Sequence, residues 1–292
     1  MGTEGESEII KALRKDNKVE EAEMSFFDHL DVLRGHLIRS AIVIIFLTCL
    51  CFYYYDFLFD VVIMGPKRPD FWTYQMMCKI GEYFELGPGF CITSIPGKII
   101  NTEMAGQFTL QINSALLVGI VLGFPYLLWE VWRFIKPALL DSERKSASGF
   151  VFFASLLFIM GILFGYYIIA PLSVNFLTNY KISDIIENTI TIDSYLSSVA
   201  TLTLGTGIVF ELPVIIFILS KLGIMTPQFM RAQRRYAVVI IFVIAAIVTP
   251  TPDILTMLTV SLPLFLLYEV SIWVSGVVYR KKQAAEKAFF AK

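Results

Sequence analysis

Apolar runs of about 18 residues or more with few charges inside them constrain a fold more than any other sequence feature. Hydrocarbon offers no water to an exposed backbone N–H or C=O, so such a run is viable only as a helix that satisfies its own backbone. The hydrophobic pattern here predicts spans over Leu37–Phe59, Phe108–Leu128, Phe150–Ile169, Tyr195–Leu222, Tyr236–Val248 and Ile254–Val278. The expected fold class is an all-α integral membrane protein with six transmembrane helices. Composition agrees: 17% of the 292 residues are charged, against about 25% in an ordinary soluble domain.

Three segments are expected. Residues 1–23 are acid-rich and lack aromatics, which predicts a disordered cytoplasmic tail and no cleavable signal peptide. Residues 24–279 form one membrane domain, and 280–292 form a basic tail. From Ser25, the residues Phe26, Phe27, Leu30, Leu33 and Leu37 recur at helical spacing, with Asp28, Asp31 and Gly35 on another face. That pattern predicts an interfacial helix, with Ser25 and Asp28 as a capping pair. The last two spans are expected to be short. The fifth covers only about 20 Å against a hydrocarbon core of about 30 Å, which predicts local thinning of the bilayer.

Most of the 24 Lys and Arg fall in the tails and the even-numbered loops. Basic residues stay on the cytoplasmic side, so both termini are expected there. The same side receives the stretch from Gly123 to Lys145, which packs two Trp, two Pro and interleaved acids and bases, and which reads as a docking surface. On the opposite side, the loop after the first span carries Cys78 and Cys91; an oxidising compartment permits a bridge between them, and free thiols are the alternative. Pro125, Pro213 and Pro263 each fall inside an even-numbered span and predict kinks.

The chemistry on offer is sparse. There is no phosphate-binding loop, no metal-ligand spacing and no nucleophile elbow, so no enzyme, cofactor or metal is expected. His29 and His36 lack a third ligand and read as surface or interface residues. Glu211 lies well inside a span, where a charge costs at least about 2.5 to 3.5 kcal/mol; function is the default reading, and packing of a protonated acid is the alternative. Glu143 either caps the third span or joins Asp28 and Asp31 in an acidic pocket that grips guanidinium groups. Trp129 and Trp132 read as interfacial aromatics, while Phe134, between Arg133 and Lys136, is placed to receive an apolar side chain.

The run His29-Leu-Asp-Val-Leu-Arg34 resembles the amino-terminal motif of the TatC family, the polytopic subunit of the twin-arginine protein translocase. Trp132-Arg-Phe-Ile-Lys-Pro-Ala-Leu139 with Glu143-Arg144 is similar to that family's first cytoplasmic loop. Phe210-Glu-Leu-Pro213 looks like its fourth-span motif, and Thr249 to Asp253, Leu262-Pro263 and Tyr268-Glu269 look like its last hairpin. The resemblance implies a concave bundle in the bacterial cytoplasmic (inner) membrane. It implies a receptor for twin-arginine signal peptides that works with TatA-type and TatB-type single-span subunits, as an oligomer among membrane lipids and without nucleic acid, to export folded proteins on the proton-motive force. Glu143 would contact the paired arginines; Phe134, Arg34, Leu33, Asp31 and Arg144 would complete that surface. Glu211, Pro213, Met257 and Glu269 would form the intramembrane polar or partner contact.

There are departures. The motif's Glu falls on Val32 here, with Asp31 beside it, and neighbouring helix positions point about 100° apart. Glu130 and Met257 stand where many relatives carry Gln, the hairpin turn has one extra residue, and the Cys-containing outer loop is not general. The alternative reading is a proton-coupled small-molecule transporter that uses Glu211. An intramembrane enzyme would require Glu211 and Glu269 to lie together.

Overall fold

A computed structural model describes residues 26–85, 91–92, 94–136, 149–183, 185, 188–249 and 254–290; within its helices the side chains of 26–29, 255, 282 and 285–290 are excepted. The first helix, α1, runs unbroken over Phe26–Tyr53. The expected interfacial helix is therefore the opening of the first span and not a separate element. Nothing between Asp31 and Leu37 stops a helix: there is no proline, and a single Gly35 weakens a helix by only about 1 kcal/mol. The Ser25 cap and the Asp28 side chain lie outside the described residues.

After α1 the chain turns through a short helical segment and a π-type turn, Leu58–Ile63, into α2, Trp72–Tyr83. Cys78 on α2 is joined to Cys91 by a disulfide, with Cα atoms 4.3 Å apart. Lys67, held here, donates to Pro96 O at 2.7 Å and Ile95 O at 3.4 Å, and burial pushes its ammonium pKa down. A strand β1, Lys98–Ile100, pairs in parallel with β2, Thr189–Thr191, in the register Lys98↔Thr189, Ile99↔Ile190, Ile100↔Thr191. This three-residue ladder is an addition to the all-α expectation; it ties the segment before α3 to the segment before α6.

The second span, α3, covers Gly106–Ile135 with Pro125 inside it. It outlasts the expected end at Leu128, so Gly123 to Ile135 is helix and not loop. Residues 137–148, including Glu143 and Arg144, lie outside the described residues. The third span is α4, Phe150–Phe164, a π-type turn at Gly165–Ile169, and α5, Ala170–Asn179. The fourth is α6, Ile192–Val209, and α7, Leu212–Lys221. A short α8, Pro227–Ala232, leads to α9, Arg234–Val248, and α10, Ile254–Phe290.

Of the two spans expected to be short, α9 is: its 15 residues reach roughly 22 Å. The other is not. The last helix has 37 residues, and its apolar part, Thr256–Lys281, is 26 residues long. The basic segment from Arg280 continues this helix and is not a separate tail. Five helical stretches of the described residues, Leu30–Tyr53, Gly106–Ile135, Phe150–Asn179, Ile192–Lys221 and Thr256–Lys281, are long and apolar enough to cross a membrane; α9 falls below that length.

Small residues let these helices close on one another. A Cβ on Gly119 of α3 would lie 2.9 Å from the Thr48 backbone of α1, and one on Gly161 of α4 would lie 2.9 Å from Gly207 Cα of α6. Without a hydrophobic force between helices in lipid, close backbone approach of this kind supplies the van der Waals contact that holds them. The main core gathers Leu110, Ala115, Ile169, Leu202, Phe210 and Leu264 from four spans.

Proline acts differently at its three positions. Pro125 and Pro263 sit inside continuous helices, whereas Pro213 coincides with the α6–α7 break. Pro213 has no N–H and its ring crowds the carbonyl four residues earlier, at Val209. The chain answers with a tighter turn there: Glu211 N donates to Ile208 O at 3.1 Å.

Candidate functional site

One end of α1 and one end of α3 meet in a buried polar cluster. On α1 the positions His36, Arg39 and Ser40 share a face by helical spacing; on α3 Tyr126, Glu130, Arg133 and Phe134 do the same. Glu130 is the centre, at 1% exposure. Its Oε2 accepts a short hydrogen bond from His36 Nδ1 and a longer one from Arg39 Nη2 at 3.4 Å. Its Oε1 accepts from the Tyr126 hydroxyl at 2.9 Å and from Arg133 Nη1 at 3.4 Å. Four donors therefore converge on one carboxylate, which is how a buried charge becomes tolerable.

Arg39 Nη2 also lies 3.0 Å from His36 Nδ1. A single ring nitrogen cannot donate to Glu130 and accept from Arg39 at once. With Nδ1–H given to the carboxylate, Arg39 acts on Glu130 directly. Both guanidinium side chains are about half exposed, so the cluster has a buried anion and a cationic rim. Arg133 also stacks over the Trp129 ring at 5.1 Å.

Phe134, expected in a binding surface, is brought to this cluster: its ring meets His36 edge-on, with centroids 6.1 Å apart. Leu33 is half-buried, while Asp31 and Arg34 are exposed on the preceding turns of α1 and make no ion pair among the described residues. Glu143 and Arg144 cannot be placed against them. Sequence reasoning missed the roles of His36, Arg39, Tyr126 and Arg133, and noted Glu130 only as a departure. The signal was there: an acid four residues after a tyrosine and three before an arginine, inside an apolar helix, asks for partners.

The second candidate group is divided. Glu211 is 6% exposed, and neither carboxyl oxygen has a hydrogen-bond partner among the described residues. Thr203 Oγ1 on the same span is in the same condition. Pro213 is buried at the start of α7, and Met257 packs half-buried against the main core. Glu269, by contrast, accepts from Arg234 Nη2 at 2.7 Å, tying α10 to the start of α9 beside the Tyr268 hydroxyl, which donates to Met230 O at 2.8 Å. No hydrogen bond joins Glu211 to Glu269: among the described residues the carboxyl oxygens of Glu211 have no partner, and Glu269 pairs with Arg234. Beside Pro213 lies an apolar groove of about 490 Å³ lined by Phe150, Phe153, Leu157, Val214, Phe217 and Trp273.

Comparison with known proteins covers almost the whole chain. The family described as Sec-independent protein translocase protein (TatC) matches residues 28–263. The TatC of Blattabacterium sp. subsp. Periplaneta americana is 35% identical over 266 residues, 91% of this chain and 100% of that protein. The TatC of Aquifex aeolicus is 32% identical over 266 residues, again 91% and 100%. Two crystal structures of the twin-arginine translocase receptor TatC are similar. One has a TM-score of 0.60 at 29% identity, covering 86% of this chain and 99% of that one. The other, in DDM, has a TM-score of 0.64 at 30% identity, covering 85% and 99%.

Proposed function

Because the chain belongs to the TatC family of Sec-independent protein translocase proteins, a family of multi-pass membrane translocase components and not of enzymes, we propose that it is the signal-peptide receptor and core subunit of a twin-arginine translocase. In this role it binds signal peptides bearing consecutive arginines and exports folded proteins across the bacterial inner membrane on the proton-motive force. TatA-type and TatB-type single-span subunits are its partners, and both termini face the cytoplasm. The observation that supports the reading is the match to a TatC in sequence over 91% of the chain and to a twin-arginine translocase receptor TatC in fold over 85% of it.

The recognition surface is built from the first turns of α1 and the end of α3. Asp31 and Arg34 present an exposed polar edge with half-buried Leu33 between them, Phe134 packs beside His36 at the adjoining end of α3, and Glu143 with Arg144 follows in sequence. Carboxylates there would exchange water for the two guanidinium forks of the signal, a geometry that lysine does not reproduce. Glu211, Pro213 and Met257 serve the later, intramembrane step, with Glu211 an acid that has no partner among the described residues and takes one from another subunit or the cargo.

The test is binding of an Arg-Arg signal peptide and its Lys-Lys counterpart to the purified protein and to Glu143→Ala. Charge-assisted hydrogen bonds contribute about 1.5–3 kcal/mol, so the Arg peptide should bind at least roughly tenfold more tightly, and the variant should abolish that preference. Equal affinities in the folded native protein would sink the receptor reading. Equal affinities in native protein and variant would remove Glu143 from the site.

A further inference from the structure

Helix α2 presents three faces. At about 100° per residue, Tyr74, Cys78 and Gly81 point one way, into the protein, where Tyr74 and Gly81 are buried and Cys78 holds the disulfide. Gln75, Lys79 and Glu82 form an exposed polar edge. Trp72, Met76, Ile80, Tyr83 and Phe84 form a third face, and all five are exposed, Tyr83 to 83% and Phe84 to 65%. A water-facing helix does not keep a continuous stripe of large apolar side chains at i, i+4, i+8 and i+11 without something to cover it.

What covers it follows from where the stripe begins. Trp72 lines a shallow groove together with Leu163, Phe164, Tyr167 and Ile168 of the third span, and its ring meets Tyr167 edge-on at 6.0 Å. Leu163 is itself exposed on a membrane-crossing helix, so it faces lipid. From Phe150 to Tyr167 the helix climbs roughly 26 Å, close to the far boundary of a hydrocarbon core of about 30 Å. The apolar stripe of α2 is thus continuous with the lipid-facing surface and starts at the level where acyl chains give way to headgroups.

The depth of α2 is fixed by the protein. Thr73 donates a hydrogen bond to Tyr167 O, and the Tyr74 hydroxyl lies 2.8 Å from Pro171 O and 2.9 Å from Pro66 O, donating to one of them. Phe71 stacks on Tyr167 with centroids 5.4 Å apart. Cys78, one turn further along the same inward face, is bonded to Cys91 in the segment that follows α2.

We propose that α2 is an interfacial membrane anchor: Trp72, Met76, Ile80, Tyr83 and Phe84 lie in the lipid leaflet at that end of the bundle, with Gln75, Lys79 and Glu82 toward water. Trp and Tyr suit that depth because each combines an apolar ring with a polar tip. The occupant is phospholipid, not a second copy or a partner protein. This holds whether or not the receptor reading is right.

The experiment uses the full chain in nanodiscs of phosphatidylethanolamine and phosphatidylglycerol, and compares it with Trp72→Phe; the difference in tryptophan fluorescence isolates Trp72 from the other three tryptophans. Lipids carrying a nitroxide near the headgroup should quench that difference signal about twofold or more, lipids labelled at mid-chain clearly less, and aqueous iodide hardly at all. Ile80→Asp should weaken the shallow-label quenching. Iodide quenching without shallow-label quenching would show a stripe in water and overturn the proposal. Protection from every quencher would show a protein cover and overturn it equally.

Discussion

Truncating Glu130 to Ala would leave His36, the Tyr126 hydroxyl and two guanidinium groups facing an empty buried position. Removing one partner from a buried polar network costs roughly 2–4 kcal/mol, whereas Glu130→Gln keeps an acceptor and should cost about half as much. Chemical denaturation of both variants in the same detergent checks this; equal and small losses would mean that the cluster is not holding α1 to α3. At this scale the candidate site was partly legible. Phe134 stood out because an aromatic between two basic residues is unusual wherever it lies. His36 and Glu130 did not declare themselves as a pair, because they are 94 residues apart and periodicity reports the face of a helix, not which helix that face meets. Glu269 shows the same limit of local pattern: its ion-pair partner Arg234 lies 35 positions earlier, a distance that no helical spacing announces.

Among the helices, what sequence pattern fixed best was position, and what it fixed worst was ends. Pro213 falls at the α6–α7 break, where its ring and missing N–H disfavour the regular turn, whereas Pro125 and Pro263 stay inside continuous helices. The start of α1 and the ends of α3 and the third span ran past the apolar runs, since hydropathy marks the hydrocarbon thickness while the helix continues for as long as nothing stops it. The α4–α6 contact leads to an expectation of its own. Gly161→Val would force two backbones apart and should destabilise the protein by about 1–3 kcal/mol, read as a fall in melting temperature; an unchanged melting temperature would contradict the close approach. Reduction of the Cys78–Cys91 bond should loosen α2 and its following segment, with a loss of about 2–4 kcal/mol confined to that cap. Hydrogen exchange with and without reductant checks it, and protection lost equally in every span would refute the confinement. Glu211→Ala, at the break, should leave signal-peptide affinity unchanged and lower export; wild-type export would return Glu211 to a packing role.

Among the described residues, five helical stretches are long and apolar enough to cross a bilayer, and α9, with 15 residues, is shorter. The shortness of α9 was legible at once, because counting apolar residues against 1.5 Å of rise needs no tertiary knowledge; the parallel β1–β2 ladder was not, because three-residue strands leave no pattern. The protein should accordingly be most stable in bilayers of shorter acyl chains, checked by melting it in nanodiscs of graded thickness; stability rising steadily with chain length would contradict the mismatch. The short α9 also bears on how molecules find one another. Where α9 lies across a bilayer, the lipids beside it shorten or tilt, and that disturbance spreads over several lipid shells. Two molecules that bring their short sides together share one disturbed patch where they would otherwise maintain two. The bilayer itself then pulls them together through its elasticity, at a range beyond any side-chain contact and with a strength set by membrane thickness.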